Sequence, residues 1–176
     1  MEEAKVLDNY SYEDYLDIAS STEQRVELIF GKIYIMAGAS ALHQDVVGNI
    51  FFKLKSDSKD GCKPRIAPFD LKLKVDNKIN VVQPDGMLFC GEEEISCAIF
   101  EVLSPSTALK DKTVKKTLYQ KAGVKEYFLV NAEYKIVEKF ELIDEVYELI
   151  GIYGMDDKIS VECLGLEIKL KEIFEV

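Results

Sequence analysis

The segment VVQPDGMLFCGEEEISCAIFEVLSPS, residues 81–106, contains two apolar runs of β-strand character with an acidic loop between them. Each run is interrupted by one carboxylate, Asp85 in the first and Glu101 in the second. If GEEEI is the connecting turn, centred on Glu93, antiparallel pairing places Asp85 directly opposite Glu101. The segment therefore predicts a hairpin in which two carboxylates face each other.

Two facing carboxylates in a hairpin need a compensating partner. Opposed residues of an antiparallel pair have Cβ atoms about 4.5–5.5 Å apart, and like charges there destabilise the sheet. A divalent cation would offset the repulsion, because carboxylate, water and phosphate oxygens are typical ligands of Mg²⁺. A register shifted by one residue would instead turn one carboxylate to the opposite face of the sheet. The apolar neighbours of Glu101, AIF and VL, favour the metal site, since burying an unpaired carboxylate is unfavourable.

The helix predicted after the second run adds a candidate cation. At 100° per residue its apolar stripe includes Asp111 and has Lys115 at its margin, whereas Lys116 points away toward solvent. Asp111 and Lys115 could form a structural salt bridge four residues apart. Alternatively, Lys115 reaches Asp85 and Glu101, where an ammonium group orients an attacking water or stabilises charge on a transferring phosphate.

The composition is that of a globular domain. The chain has 176 residues, of which 48% are hydrophobic and 31% charged, and these values predict a single domain over residues 1–176. No apolar run approaches the roughly 20 residues that span a bilayer. The beginning of the chain, MEEAKVLDNY, is acidic and lacks the regions of a secretory signal. We therefore expect a cytoplasmic protein with no membrane partner.

The cysteines show no metal or disulfide pattern in the sequence. They are widely spaced without a CxxC pair, and His43 is the only histidine. This spacing favours neither a zinc finger nor a dense disulfide framework, and we expect reduced, mostly buried thiols. The four are Cys62, Cys90, Cys97 and Cys163.

The net charge of -10 argues against nucleic acid as a partner, because lysine and arginine contacts to phosphate supply most non-specific affinity. Two segments, residues 53–65 and 109–121, are locally basic in spite of the negative net charge. Local charge matters more than net charge for binding a polyanion, so DNA stays a candidate partner.

The wider pattern predicts an α/β fold with one central mixed β-sheet flanked by helices. Helices are expected at residues 11–20, 40–61 and, after a cap at Ser106–Thr107, up to Gly123. Strands are expected in RVELIFGKIYIM with a turn at Gly31–Lys32, in KPRIAPFDLKLKV, in the two runs quoted above, and in KEYFLVN, KIVEKFEL and VYELIGIYG.

Several of these motifs together resemble the Uma-two endonuclease family of the PD-(D/E)xK, restriction-endonuclease-like superfamily. The resemblance extends from about Tyr12 to about Phe140 and implies a Mg²⁺-dependent phosphodiesterase site on a mixed sheet. It rests on VVQPDGMLF, AIFEVLSPST, DKTVKKTLYQKAGVKEYFLV, RVELIFGKIYIMAGASALHQDVVGNI and PRIAPFDLKL.

The resemblance assigns roles to particular residues. Asp85 matches the acid of the PD motif and Glu101 matches the second acid. The superfamily's lysine usually follows the second acid by two residues, where this chain has Leu103. The family pattern moves the lysine to the next helix, where Lys115 matches.

Three further positions are less specific. Glu27 matches a family acid and is either a metal-facing residue or a surface-strand glutamate. Gln83 shares strand parity with Asp85 and is a candidate neighbour of the site. His43 matches a recurring family position on the second helix, and we expect it to be structural rather than catalytic.

These observations predict a metal-dependent DNA endonuclease that uses Mg²⁺, with Mn²⁺ as a substitute. Asp85 and Glu101 would hold the metal and Lys115 would position the attacking water. Cutting both strands of a duplex favours a homodimer. The alternative is a non-catalytic or degenerate member that acts in binding or assembly, which the net charge and Leu103 favour.

Overall fold

The computed structural model describes residues 7–58, 61–91 and 95–175. Helix α3 is composite, with α-helical Ala108–Lys110, π-helical Asp111–Lys115 and α-helical Lys116–Ala122. In the described part of the chain, no helix is both long and apolar enough to cross a membrane. The other helices are α1 (Tyr12–Ser21), α2 (Ala41–Ser56) and α4 (Lys171–Phe174).

The strands form two main sheets and a small hairpin. The strands are β1 (Leu7–Asp8), β2 (Val26–Ile29), β3 (Lys32–Ile35), β4 (Cys62–Ile66), β5 (Leu71–Val75), β6 (Lys78–Val82), β7 (Gly86–Cys90), β8 (Ala98–Val102), β9 (Glu126–Asn131), β10 (Ile136–Ile143), β11 (Val146–Gly154), β12 (Lys158–Val161) and β13 (Leu166–Lys169). The five-stranded sheet has the order β1-β3-β2-β6-β5, the six-stranded sheet has the order β11-β10-β9-β8-β7-β4, and β12 pairs with β13. In the six-stranded sheet β8 and β9 are parallel and the other neighbours are antiparallel, so this sheet is mixed.

The predicted α/β class with a mixed sheet and flanking helices is confirmed, but the expectation of a single sheet is wrong. The run KPRIAPFDLKLKV contains two strands, β4 and β5, in different sheets. Pro68 lies between them and has no backbone N–H for a strand ladder. The first run of the quoted segment is likewise divided between β6 and β7, and the chain changes sheet at residues 83–85.

The predicted register of the central hairpin is confirmed. Gly86 pairs with Phe100 and Leu88 pairs with Ala98, so Asp85, one residue before β7, continues the register opposite Glu101. The expected centre of the turn, Glu93, lies outside the described residues. The register places Glu101 on the face of the sheet that α3 covers.

Strand β8 is buried on both faces because helices cover the six-stranded sheet from two sides. Ile50 of α2 belongs to the apolar core that contains Phe100, whereas Leu118 and Tyr119 of α3 belong to the core that contains Ile99. Side chains alternate between the two faces along a strand, so Glu101 shares the α3 side with Ile99. A carboxylate at this position is enclosed by protein.

The helix boundaries differ in detail from the expectations. Helix α2 starts where predicted, with the Ser40 hydroxyl accepting a hydrogen bond from the His43 N–H at 3.2 Å, but it ends at Ser56 rather than near Gly61. Thr107 precedes α3 as expected, yet its side chain makes no capping hydrogen bond. Its hydroxyl instead lies 3.0 Å from that of Ser104.

The four cysteines form two disulfides, so the expectation of reduced thiols is wrong in this structure. Cys62 is bonded to Cys90, and Cys97 is bonded to Cys163. Cys62 and Cys90 are directly opposite on β4 and β7, a neighbour relation that their separation of 28 residues does not reveal. The three-dimensional pairing of strands brings these residues together.

We predict opposite effects of alanine at two glycines. Gly123 ends α3 with φ of 84°, where an L side chain is strained, and no atom would contact the added Cβ. Gly123→Ala should therefore lower the free energy of unfolding by about 1 kcal/mol. Gly48→Ala, in open space within α2, should raise it by up to about 1 kcal/mol. Urea unfolding curves test both, and a Gly123→Ala protein as stable as wild type would contradict the prediction.

Candidate active site

One pocket collects the ionisable residues of the central hairpin, of α2 and of α3. Asp85 and Glu101 come from the hairpin, and further lining comes from residues 36–39, Ser104 and Arg25. The predicted trio of Asp85, Glu101 and Lys115 therefore lines a single cavity. The charged and titratable lining residues are Arg25, His43, Asp85, Glu101, Lys110, Asp111 and Lys115.

Asp85 is held between a strand and a helix. Its Oδ2 atom accepts a hydrogen bond from the backbone N–H of Val102 at 2.8 Å and lies 3.2 Å from Nε2 of His43. The hydrogen bond to Asp85 raises the pKa of His43, and burial opposes this shift. His43 Nδ1 is buried without a hydrogen-bond partner. The structure thus places His43, expected to be merely structural, in direct contact with the predicted metal ligand.

Glu101 is enclosed on the α3 side of the sheet. Its Oε1 atom accepts hydrogen bonds from Lys115 Nζ at 2.9 Å and from the Tyr119 hydroxyl at 2.6 Å. Burial raises the pKa of Glu101 to about 8, and the charges of Asp111 and Asp85 add to the rise against the opposing effect of Lys115. A nearby positive charge therefore strongly stabilises the ionised form of Glu101.

Lys115 is the cation at the centre of the cluster, with only 2% of its surface exposed. Its Nζ atom lies 2.9 Å from Glu27 Oε1, 2.9 Å from Glu101 Oε1 and 3.8 Å from Asp111 Oδ1. Burial alone would lower the pKa of Lys115, but Glu101, Glu27 and Asp111 outweigh it, and the pKa lies well above its usual value. The ammonium group is therefore charged at neutral pH.

Glu27 is not a surface-strand residue, since it is 0% exposed in β2. Its Oε1 atom accepts the backbone N–H of Gln83 at 3.0 Å, and its Oε2 atom lies 2.7 Å from Lys110 Nζ. Burial raises the pKa of Glu27, but Lys115 and Lys110 outweigh it and hold the pKa below its usual value. Glu27 thus joins the five-stranded sheet to α3.

Gln83 supports this arrangement through its backbone. Its side chain turns away from the pocket, with Nε2 donating a hydrogen bond to Asp70 Oδ1 at 2.9 Å. The side-chain oxygen, Oε1, is buried without a partner. Strand parity with Asp85 does not apply, because the chain changes sheet between the two residues, and the described hydrogen bonds give the Gln83 side chain no contact with Asp85 or Glu101.

Asp111 is a candidate ligand that sequence reasoning treated only as a salt-bridge partner. It is 2% exposed, it lines the pocket, and its Oδ1 atom makes no hydrogen bond. Burial raises the pKa of Asp111 against the effect of Lys115. Asp111 is the first and Lys115 the last residue of a π-helical segment. Such a segment is a local widening of the helix that often occurs at functional sites. The available signal was a carboxylate inside the apolar stripe.

Lys116 points away from the site as expected, but it does not extend into solvent. Its Nζ atom lies 3.6 Å from the centroid of the Phe140 ring, in a cation–π contact. The other lysines of the basic segment 109–121 that lie outside the pocket pair with carboxylates, Lys112 with Glu138 and Lys121 with Asp76. This segment is therefore less available to a polyanion than its composition indicates.

The cluster brings several carboxylates together in one place. Glu27, Glu101 and Asp111 lie beside the ammonium groups of Lys110 and Lys115, and the imidazole of His43 contacts Asp85. A hard metal ion prefers carboxylate oxygens, and Asp111 Oδ1 is a buried carboxylate oxygen without a hydrogen bond. The donor type present is the one that Mg²⁺ or Mn²⁺ binds.

Comparison with known proteins supports this assignment of the fold. Residues 12–171 match the Uma2 family, described as "Putative restriction endonuclease". The chain belongs to the Uma2 family. An uncharacterized protein of Synechocystis sp., slr1290, is 28% identical over 173 residues, which cover 93% of this chain and 90% of that protein.

A solved structure shows that the fold is that of a nuclease-like relative. The crystal structure of a "putative nuclease" from Anabaena variabilis superposes with a TM-score of 0.74, covering 94% of this chain and 98% of that chain. The two sequences are 17% identical, so this likeness concerns the fold alone. This Uma2 protein therefore shares the fold of that protein over nearly its whole length.

The raised pKa of Glu101 predicts a pH-dependent stability in metal-free buffer. The folded state keeps the proton up to about pH 8, whereas the unfolded chain releases it near the ordinary pKa of 4.5. The unfolded state binds fewer protons in this range, so stability should fall as pH rises. Glu101→Gln removes the titrating group. The stability of this variant relative to wild type should therefore increase as the pH rises from 5 to 8.

Chemical unfolding with a chelator present, at several pH values, measures this difference. The exposed Glu148→Gln change on β11 is the matched control and should follow wild type at every pH. If the Glu101→Gln and wild-type stabilities stay parallel from pH 5 to pH 8, the predicted proton on Glu101 is wrong.

Proposed function

We propose that this protein is a metal-dependent DNA endonuclease that hydrolyses phosphodiester bonds with Mg²⁺, for which Mn²⁺ can substitute. The supporting observation is the contact of 2.9 Å between Lys115 Nζ and Glu101 Oε1 in the pocket that Asp85 also lines. Two acids and a lysine thus line one pocket although Leu103 stands where the superfamily usually has its lysine. Lys115 of α3 supplies the lysine instead.

Asp85 and Glu101 would hold the metal, and Asp111 is a further ligand candidate from the geometry. A bound Mg²⁺ supplies polarisation of the phosphate and lowers the pKa of a coordinated water. The chain prepares for this by fixing Asp85 through the Val102 N–H and by enclosing Glu101 away from bulk water. Fixed carboxylates do not have to be ordered when the substrate arrives.

Lys115 has the features of a group that stabilises developing negative charge. It is charged, it borders the cavity, and Glu27 holds its ammonium in place from the side of the five-stranded sheet. A preoriented ammonium in a pocket with little water acts more strongly on a phosphate than one in solvent. We assign Lys115 to orienting the attacking water or neutralising the phosphate, and Glu27 to positioning Lys115.

DNA binding requires basic groups in spite of the net charge of -10. The exposed pairs Lys112–Glu138 and Lys121–Asp76 can exchange their carboxylates for DNA phosphates, because exposed ion pairs contribute little stability. Lys55 and Lys63 of the other basic segment are also exposed. A homodimer with twofold symmetry would match the symmetry of a duplex and present one site to each strand.

A non-catalytic role in binding or assembly is the second candidate. It is favoured by the packing of Leu103 against the apolar core and by the complete set of carboxylate partners that Lys115 already has. In this role the charge cluster would be structural, holding α3 between the two sheets. The two functions differ in whether the protein cuts DNA.

Cleavage of a supercoiled plasmid tests the proposed activity. Purified protein with Mg²⁺ or Mn²⁺ should convert the plasmid to nicked and linear forms, and a chelator should stop the reaction. A folded protein that leaves the plasmid intact with either metal would support the structural role. Cleavage that continues in the chelator would contradict metal dependence.

The catalytic residues can be tested against a lysine of the same helix. Lys115→Ala should lower the nicking rate by on the order of 10²-fold, as expected when one charge-stabilising group is lost. Lys112→Ala, exposed and paired with Glu138, should cut at nearly the wild-type rate and show only a shallower salt dependence.

A second variant is needed because Lys115→Ala leaves buried carboxylates without their cation and could lose activity by misfolding. Asp85→Asn alters a partly exposed carboxylate and keeps its shape, so the protein should fold but lose metal-dependent cleavage. Thermal melts accompany both variants. If folded Lys115→Ala and Asp85→Asn proteins both nick like wild type, the assigned residues are wrong.

A further inference from the structure

The four cysteines meet at one place, away from the carboxylate pocket. Cys62 begins β4, Cys90 ends β7 and Cys97 directly precedes β8, whereas Cys163 lies in the turn between β12 and β13. The sulfurs of Cys90, Cys97 and Cys163 all lie within 4.8 Å of one another. Cys62 is bonded to Cys90, so its sulfur lies beside this group of three. The two disulfides are therefore neighbours, and together they supply four sulfurs.

We infer that the reduced form of this cluster is a structural Zn²⁺ site with four cysteine ligands. Tetrahedral zinc with Zn–S bonds of about 2.3 Å brings its sulfurs to about 3.8 Å from one another. The sulfurs of Cys90, Cys97 and Cys163, which come from both disulfides, already lie within 4.8 Å of one another. Two disulfides that served only as separate cross-links would not need to lie next to each other. A metal site with four cysteine ligands requires that they do.

The backbone around the cluster is held by contacts that do not involve sulfur. The Glu126 N–H donates a hydrogen bond to the Cys97 carbonyl at 3.0 Å, and Glu126 Oε2 accepts the Cys163 N–H at 3.0 Å. Lys139 Nζ lies 3.3 Å from Glu126 Oε1 and fixes this carboxylate. One buried residue thus positions two of the four ligands.

The other two ligands are positioned by strand pairing. Cys62 and Cys90 are directly opposite in the β4–β7 ladder, and the Cys97 N–H bonds to the Leu88 carbonyl of β7 at 2.8 Å. These hydrogen bonds do not depend on the disulfides. The four sulfurs should therefore stay together when the S–S bonds are broken, which gives a preformed site.

Conversion between the two forms balances with a thiol or phosphine reductant. Each disulfide accepts two electrons and two protons and becomes two thiols, so the two disulfides yield four. A phosphine takes up the oxygen of one water and becomes the phosphine oxide, whereas two molecules of a thiol reductant become one disulfide. Binding of Zn²⁺ then displaces the four thiol protons to solvent, and the metal does not change its oxidation state. The bound ion would join β4, β7, β8 and the β12–β13 turn.

Such a site would act on the fold rather than on phosphodiester chemistry. Strand β7 starts beside Asp85 and ends at Cys90, and β8 starts beside Cys97 and contains Glu101. The sulfur cluster thus lies at the opposite ends of the two strands that carry the predicted ligands of Mg²⁺. Zinc binding is independent of the proposed nuclease activity and needs no cleavage assay.

Cobalt binding to the reduced full-length protein tests the inference. After reduction with a phosphine and its removal without oxygen, the cysteines should bind Co²⁺, and the charge-transfer band should saturate at one thiolate-bound ion per chain. The spectrum should show thiolate-to-cobalt charge transfer and the visible bands of tetrahedral cobalt. Zn²⁺ should displace the cobalt and raise the melting temperature.

Variants locate the cobalt. Cys97→Ser and Cys163→Ser should each weaken Co²⁺ binding at least 10-fold and lower the charge-transfer band, whereas Glu101→Gln and Asp85→Asn should leave the band unchanged. A thiol titration accompanies the experiment on wild type. If the protein has four titratable thiols but no charge-transfer band, or if no thiols appear after reductant treatment of the folded protein, the zinc site is overturned.

Discussion

The burial of the Lys115 ammonium is the constraint on which the rest of the structure depends. A charged amine with 2% exposure is tolerated only when anions surround it, because removing an ion from water is strongly unfavourable. Its partners come from three places: Glu27 from the five-stranded sheet, Glu101 from the six-stranded sheet and Asp111 from α3 itself. One side chain therefore fixes both sheets and the helix at the pocket.

The change of sheet at residues 83–85 makes this convergence possible. Directly before Asp85 the chain leaves the five-stranded sheet, and the Gln83 N–H bonds to Glu27 at the crossing point. Asp85 then enters the six-stranded sheet beside Glu101. The same few residues connect the two sheets and supply one of the carboxylates, so the crossing point brings Asp85 and Glu101 of one sheet close to Glu27 of the other.

The sequence predicted the parts of the site that depend on local spacing. The spacing of a lone carboxylate in each of two apolar runs predicted Asp85 opposite Glu101 as one of two possible registers, and the helical projection predicted Lys115 near them as one of two possible roles. The second sheet, the contact of His43 with Asp85 and the paired cysteines were not predictable, because they depend on contacts between segments distant in the chain. The helical projection placed Asp111 on the buried stripe, but the spacing to Lys115 favoured a salt bridge and gave no indication that Asp111 lines the pocket.

The central claim is that Asp85 and Glu101 are ligands of one divalent cation beside Lys115. Anomalous diffraction from crystals soaked in Mn²⁺ tests it most directly, because the signal locates the ion without reference to activity. The account predicts one strong peak in the pocket, within bonding distance of carboxylate oxygens of both Asp85 and Glu101. Well-diffracting soaked crystals without a peak there, or with a peak that contacts only one of the two residues, would contradict it.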